Sequence, residues 1–290
     1  MMLYPDGPAF LRAPHKRVML FGMSGLGKTT LSNMLRGAGN WFHYSVDYRI
    51  GTRYMGEYIS DNFKREAMKV PLLRELLMSD SVYITSNITF DNLAPLSTYL
   101  GKPGDPAKGG LPFAEYQRRQ AQHAQAEVSA MLDTTRFIDR ALDLYGYTHF
   151  VCDTSGSICE VVDAENPADP VMAEVSAHLL PVWIQGSDAH RDELCRRFDR
   201  APKPMYYRPE FLLTVWNDYL AETGLTPDTA DPDAFLRFGY ARLLQSRQPR
   251  YAAMARWGVT VTAEEVAATQ SPAAFDALIA RALDRRSSET

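Results

Sequence analysis

Eight residues, Gly22-Met23-Ser24-Gly25-Leu26-Gly27-Lys28-Thr29, constrain this chain more than any other stretch. Their spacing is G-x-x-x-x-G-K-[ST], a pattern that needs a strand before it and a helix after it. Both neighbours read that way. Residues 17–21 are a short apolar run with the character of a buried strand. Residues 29–36 put Leu31, Met34 and Leu35 on one helical face. Glycines at these positions let the backbone wrap an anion and aim successive N–H groups at it. A helix beginning near Lys28 adds its positive dipole end. The Lys28 ammonium then reaches the β- and γ-phosphates of a nucleotide, and the Thr29 hydroxyl is placed to ligate Mg²⁺. Gly22, Ser24, Gly25, Leu26, Gly27, Lys28, Thr29 and Thr30 are therefore the expected nucleotide-binding residues. The competing reading is a Gly-rich turn without a ligand; the strand before it and the helix after it weigh against that.

The rest of the chain alternates in the same manner. Gly37 and Gly39 end the first helix, and residues 41–46 read as a second strand that closes on Asp47, with Arg49 and Arg53 just behind. A helical pattern covers 53–69, Pro71 starts another short helix, and 81–85 reads as a brief strand. Asp91 is the expected cap of a helix ending at Gly101. Residues 102–111 are a loop, and Pro112 opens a long helix to about residue 133, in which Arg118 and Arg119 are exposed by pattern. After a helix over 135–145, His149-Phe150-Val151-Cys152-Asp153 reads as a third strand ending in an acid. A fourth strand spans 179–185, and Ser187 caps a helix over 188–200. Helices over 209–223 and 233–245, a fifth strand over 258–261 and a closing amphipathic helix over 272–285 complete the pattern. Residues 1–16, with Pro5, Gly7, Pro8 and Pro14, read as an irregular lead-in without the apolar segment of a secretory signal.

Strands separated by helices imply right-handed crossovers and a parallel sheet, with the reactive crevice beyond the carboxyl ends of the strands. Asp47, Asp153 and Gln185-Gly186-Ser187 all fall at such ends. The expected fold class is thus α/β, with a helical insert over 48–146 and a cover over 188–209. A net charge of −4 argues against a general nucleic-acid binder, and no apolar run approaches the length of a membrane span. The three cysteines fit neither a disulfide framework nor a zinc site, so a reducing, cytoplasmic setting is expected.

Asp153 is the expected partner of Mg²⁺, the alternative being a capping role in the turn Asp153-Thr154-Ser155-Gly156. Ser155 and Ser157 offer hydrogen bonds to phosphate or substrate. Asp47 is placed to accept a hydroxyl proton from an acceptor, and Arg49 and Arg53 to grip an anionic one. Arg196, Arg197 and Arg200 read either as a cover that stabilises charge on the transferring group or as ordinary ion pairs with Asp192 and Glu193. Lys203 and Arg208 extend that cover. His43 and His149 read as core or strand-end residues, and Met205-Tyr206-Tyr207 as a loop anchor.

The stretch from Val18 to Arg36 resembles the start of small P-loop kinases of the shikimate kinase and gluconate kinase type. The segment Pro181-Val182-Trp183-Ile184-Gln185-Gly186-Ser187, followed by Arg191, Arg196, Arg197 and Arg200, resembles their fourth strand and lid. The resemblance implies a P-loop NTPase fold with a five-stranded parallel sheet in the order 2-3-1-4-5. It further implies ATP and Mg²⁺ at Lys28 and Thr29, an acceptor at Asp47, and lid roles for Arg197 or Arg200. Residues 48–146 are a longer insert than that group carries. Asp153-Thr154-Ser155-Gly156 also fits D-x-x-G and so resembles the switch of GTPases, although no N-K-x-D or T-K-x-D motif follows. Two functions are expected from this. One is ATP- and Mg²⁺-dependent phosphoryl transfer to a small, anionic, hydroxyl-bearing molecule. The other is a regulatory or assembly ATPase acting on a protein partner.

Overall fold

Val18, Met19, Leu20 and Phe21 have no exposed surface, as a central parallel strand covered on both faces requires. The computed structural model describes residues 2–289. In chain order the elements are α1 (Gly7–Arg12), β1 (Arg17–Phe21), α2 (Lys28–Gly37), β2 (Trp41–Ser45), α3 (Val46–Arg49), α4 (Gly56–Ala67), α5 (Pro71–Met78), α6 (Ala94–Leu100), α7 (Phe113–Leu132) and α8 (Thr134–Tyr145). They continue with β3 (His149–Asp153), α9 (Ile158–Val161), α10 (Pro170–His178), β4 (Leu180–Gln185), α11 (Asp188–Arg200), α12 (Pro209–Thr223), α13 (Pro232–Ala255), β5 (Val259–Thr262), α14 (Ala263–Ala267) and α15 (Pro272–Glu289). The chain divides into two compact units.

The first unit comprises Met1–Val46, Val128–Ala201 and Gly239–Thr290. Its sheet has the order β2-β3-β1-β4-β5, and every pairing is parallel. Leu20 lies opposite Asp153 and Val182, so the β1 end is flanked by those of β3 and β4. Helices α2 and α8 each pack on β2 and β3, and α15 packs on β5 and α1. The lead-in is not irregular. Asp6 caps α1 by accepting from the Ala9 amide at 2.7 Å, and Pro8 sits in the first turn, where its missing N–H costs nothing. Phe10 is fully buried, and the Gly7 amide donates to Asp284 at 2.9 Å. α13 also runs past its expected end at residue 245 and through Pro249. Tyr251 and Met254, both without exposed surface, hold the helix beyond the missing donor, an instance of packing outweighing local propensity.

The second unit comprises Asp47–Glu127 and Pro202–Phe238. It is therefore not the 48–146 insert alone. Residues 128–146 go with the sheet because α8 covers β2 and β3. Residues 202–238 join through aromatic packing: Phe113 stacks on Trp216 at 4.8 Å, and Trp216 meets Phe235 edge to face. Tyr207 is buried, and its amide donates to Gln120 at 2.9 Å, so Met205-Tyr206-Tyr207 does anchor the loop.

Three expectations in this unit change. Residues 81–85 form no strand; they are extended but pair with nothing. The helix expected from Asp91 starts at Ala94, with Leu93 at its cap. Arg119 is buried rather than exposed: its guanidinium donates to Glu115, to the Tyr99 carbonyl and to Asn62, and lies over the Tyr99 ring at 4.6 Å. Arg118 stays outside and binds Glu115 through two nitrogens, each at 2.7 Å.

Those bonds set a pH dependence. The Arg118 hydrogen bond holds the Glu115 carboxyl down at about 2; burial opposes it and Arg119 adds to it. A depressed carboxyl stabilises the folded state above its unfolded value and loses that contribution as pH falls towards the folded value. Glu115→Gln is therefore expected to lower the melting temperature at pH 7 and to flatten its decline between about pH 4.5 and about pH 2. An acid limb identical to that of the unmodified chain counts against this assignment.

Candidate functional site

The loop between β1 and α2 turns back at Gly22, whose φ of 139° belongs to glycine alone. A Cβ there would lie 2.5 Å from the Ile184 carbonyl oxygen of β4, so the close approach of loop to sheet also demands glycine. α2 begins at Lys28, and its cap, Gly27, provides no side chain to the first-turn amides. Those amides point out of the first turn as donors for an anion. Lys28 is buried, with its ammonium donating to the carbonyls of Gly22 at 2.9 Å and Met23 at 3.0 Å. Ser24, Gly25, Thr29 and Thr30 are exposed along the rim.

Asp153 ends β3 beside this loop. The Thr29 hydroxyl donates to Asp153 Oδ2 at 2.7 Å, and His43 Nε2 lies 3.5 Å from the same oxygen. His43 reaches it from β2, two strands from the loop in the sheet order, and its side chain is wholly enclosed. By pattern His43 is a core or strand-end residue, and the structure adds its contact with Asp153. The signal was available in register: His43 pairs with Val151, two residues before Asp153.

The turn after Asp153 is bound closely to the loop. The Thr154 amide and hydroxyl both donate to the Leu20 carbonyl, at 3.2 and 3.0 Å. A Cβ on Gly156 would meet Ser24 Oγ at 2.5 Å and the Ser24 amide nitrogen at 3.2 Å. Ser155 and Ser157 are buried with their hydroxyls 3.1 Å apart. The Gly156 carbonyl accepts from Arg247 at 2.9 Å and from the Tyr251 hydroxyl at 2.5 Å. Arg247 also donates to Glu160 at 3.0 Å, an ion pair with almost no exposure on either side. Neither Arg247 nor Tyr251 was singled out by the sequence, since α13 lies some 90 residues further along the chain and carries no motif there. Burial pushes the thiol of Cys152, next to Asp153, well above the ordinary range.

α11 lies over the loop by its apolar side. Ser187 and His190 cap it reciprocally, as expected for a Ser187 start. Leu194 Cδ2 comes within 2.9 Å of where a Cβ on Gly25 would sit, and Phe198 stacks on Tyr240 at 3.7 Å. Burial raises the Tyr240 phenol to about 12. The arginines of α11 are paired along their own helix or exposed. Arg196 and Arg197 both bind Glu193, at 2.8 Å each, and Arg200 is exposed. Glu193 thus serves both, whereas Asp192 had been expected to take Arg196.

Beside the loop lies a cleft of about 290 Å³. Gly25 and Gly27 line it from the loop, Thr30 from α2, His190 from α11, and Val266 and Gln270 from α14 and the turn beyond it. Leu26 and Leu31 give it an apolar floor.

Of the expected site residues, Gly22, Ser24, Gly25, Leu26, Gly27, Lys28, Thr29, Thr30, Asp153 and Ser155 therefore come together in the first unit. Arg197 and Arg200 belong to the same unit, Arg197 paired with Glu193 and Arg200 exposed. Asp47, Arg49 and Arg53 belong to the second unit. There Arg49 lies over the Tyr54 ring at 5.5 Å, and Arg53 lines a polar cleft with Glu57, Asp61 and Lys64.

The donors present suit Mg²⁺ held jointly with a nucleotide. Thr29 and Asp153 put two hard oxygen ligands side by side. Among the described residues no group of three or more His, Cys, Asp or Glu could enclose a metal. Mg²⁺ takes one or two such protein oxygens and fills its octahedron with phosphates and water. Among the described residues no helix is long and apolar enough to cross a membrane. Comparison with known protein families and with curated proteins finds no match.

Proposed function

We propose that this chain is a P-loop NTPase that transfers the γ-phosphoryl group of ATP, with Mg²⁺, to a small anionic molecule bearing a hydroxyl group. One observation carries the reading: the Lys28 ammonium, the amides of the Gly22–Thr29 loop and the Thr29–Asp153 pair converge at the carboxyl ends of adjacent parallel strands. In this reading the loop amides cradle the β-phosphate and Lys28 leaves its two carbonyls for the γ-phosphate. Thr29 and Asp153 would hold the metal, which would supply charge neutralisation to the phosphates. The cleft at Thr30, His190 and Gln270 receives the nucleoside, its apolar floor taking a base face. Phosphoryl transfer asks little covalent chemistry of the protein; positioning and fixed charge are what these residues provide. Arg197 joins only by leaving Glu193, an exposed pair of small energetic weight. Asp47 is assigned the acceptor hydroxyl, and Arg49 and Arg53 the acceptor's negative charge.

The test is ADP release from Mg-ATP, with and without a pooled low-molecular-weight cell extract. Release stimulated by the extract is expected, and fractionation then identifies the acceptor. Asp47→Asn is expected to leave nucleotide affinity within about threefold while lowering transfer by ~10²-fold or more, the usual scale for a general base. Equal losses in binding and transfer would remove Asp47 from the acceptor site.

A second reading, a regulatory ATPase acting on a protein partner, is favoured by one observation: the second unit carries an uncovered apolar face on α5. Slow ADP release that no extract fraction changes supports that reading over the first.

A further inference from the structure

α5 contains no buried residue. Leu72 is 64% exposed, Met78 72% and Tyr83 85%, and Val70, Leu73 and Val82 are each exposed by more than a third. Leu72, Leu73, Leu76 and Leu77 recur at helical spacing and form one apolar stripe. By these fractions residues 70–83 show on the order of 700 Å² of apolar side chain, near the ~800 Å² that each partner brings to a standard interface.

A second observation adjoins the first. Residues 82–88, Val-Tyr-Ile-Thr-Ser-Asn-Ile, run extended and are rich in β-formers. None of their backbone amides donates to another described residue; bonding resumes at Thr89. Between this segment and α4 lies a polar cleft of about 770 Å³ lined by Arg53, Asp61 and Lys64, and Ile88 is the one residue of the segment that is buried, against Gly51. The segment is a sheet edge without a sheet, and such an edge templates pairing with another strand.

We propose that this face joins two copies of the chain, with residues 82–88 of the two copies paired antiparallel and the two α5 stripes buried beside them. A two-fold axis across an extended segment generates an antiparallel pair directly, so each copy supplies the donors and acceptors that the other lacks. The contact is isologous, so the same patch meets itself across the two-fold axis and the apolar stripes close at two chains. The charges between residues 70 and 88 are Arg74, Glu75 and Asp80, which leaves little net charge to oppose the approach of a like surface. The proposal is independent of the nucleotide site, which lies in the other unit.

Sedimentation of the full chain between roughly 1 and 100 μM tests it, a range that brackets micromolar association. A two-chain mass is expected at the upper end. Two variants, made separately, are each expected to raise the dimer dissociation constant at least ~100-fold with an unchanged far-UV spectrum: Leu72→Asp with Met78→Asp, and Thr85→Pro. The proline removes an amide donor that no group within the chain uses. A single-chain mass at every concentration overturns the proposal, whether or not the chain captures some other protein. So does a two-chain mass that survives either variant.

Discussion

Replacing Lys28 by alanine is expected to lower kcat/KM for Mg-ATP by ~10³-fold or more while the first unit stays folded. The magnitude follows from what the ammonium is asked to do. It is buried and held by the Gly22 and Met23 carbonyls, so its charge has already lost most of its water. A pre-desolvated donor aimed at a developing anion contributes ~10²–10³ in rate for a single neutral hydrogen bond, and a full charge contributes more. The stability cost is smaller. Two carbonyls lose a donor, about 1–3 kcal/mol if they stay dry, but the loop rim at Ser24 and Gly25 is exposed and water can replace the ammonium. Lys28→Arg separates charge from shape. It keeps the positive charge, but a planar guanidinium does not fit the space between two carbonyls and a phosphate, so activity stays low. Titration calorimetry with Mg-ATP and an ADP-release assay check both variants. Turnover within tenfold of the unmodified chain for Lys28→Ala removes the loop from the mechanism.

What could be read from the sequence was whatever local patterning decides. The loop glycines, the strand before them and the amphipathic helix after them are a local signal, and the structure forms them at the expected residues. The β3 run ending in Asp153 was readable because a continuous apolar stretch bounded by turn residues has few alternatives. Where non-local packing decides, the reading failed. Gly7-Pro8 looked like a breaker, yet Asp6 before a first-turn proline is a start signal, and Phe10 needed the surface of α15 to bury itself. The helix expected over 233–245 continues to Ala255 through Pro249, where the burial of Tyr251 and Met254 holds it past the missing donor. Arg119 looked solvated because a charge beside Arg118 usually is; its burial depends on the Tyr99 carbonyl and Asn62, which no spacing rule connects to it. Residues 81–85 have the composition of a strand, but β-propensity measures fit to a neighbour, and this chain offers none. The contact of His43 with Asp153 and the hold of Arg247 on Gly156 are likewise properties of the assembled sheet.

That last hold yields the second large effect. Arg247→Met leaves the Glu160 carboxylate enclosed without its cation, since both side chains have almost no exposure. Breaking one side of such a pair costs about 3–5 kcal/mol, a large share of the stability of a typical domain. The melting temperature is expected to fall by roughly 10 °C or more. Removing Glu160 as well, in Arg247→Met with Glu160→Leu, takes away the stranded charge and replaces an ion pair by apolar contact, which is close to neutral. Most of the lost stability should then return. Nucleotide affinity should not return with it. In both variants the Gly156 carbonyl loses its bond from Arg247 and keeps only that from Tyr251, so the far end of the turn that seats Asp153 against Thr29 and Gly156 against Ser24 is held by one bond instead of two. Calorimetric melting and Mg-ATP titration on the single and double variants separate the two effects. Stability that recovers while binding stays weak marks Arg247 as the residue that positions the β3 turn for the phosphate loop. Stability and binding that recover together reduce it to one half of a structural ion pair.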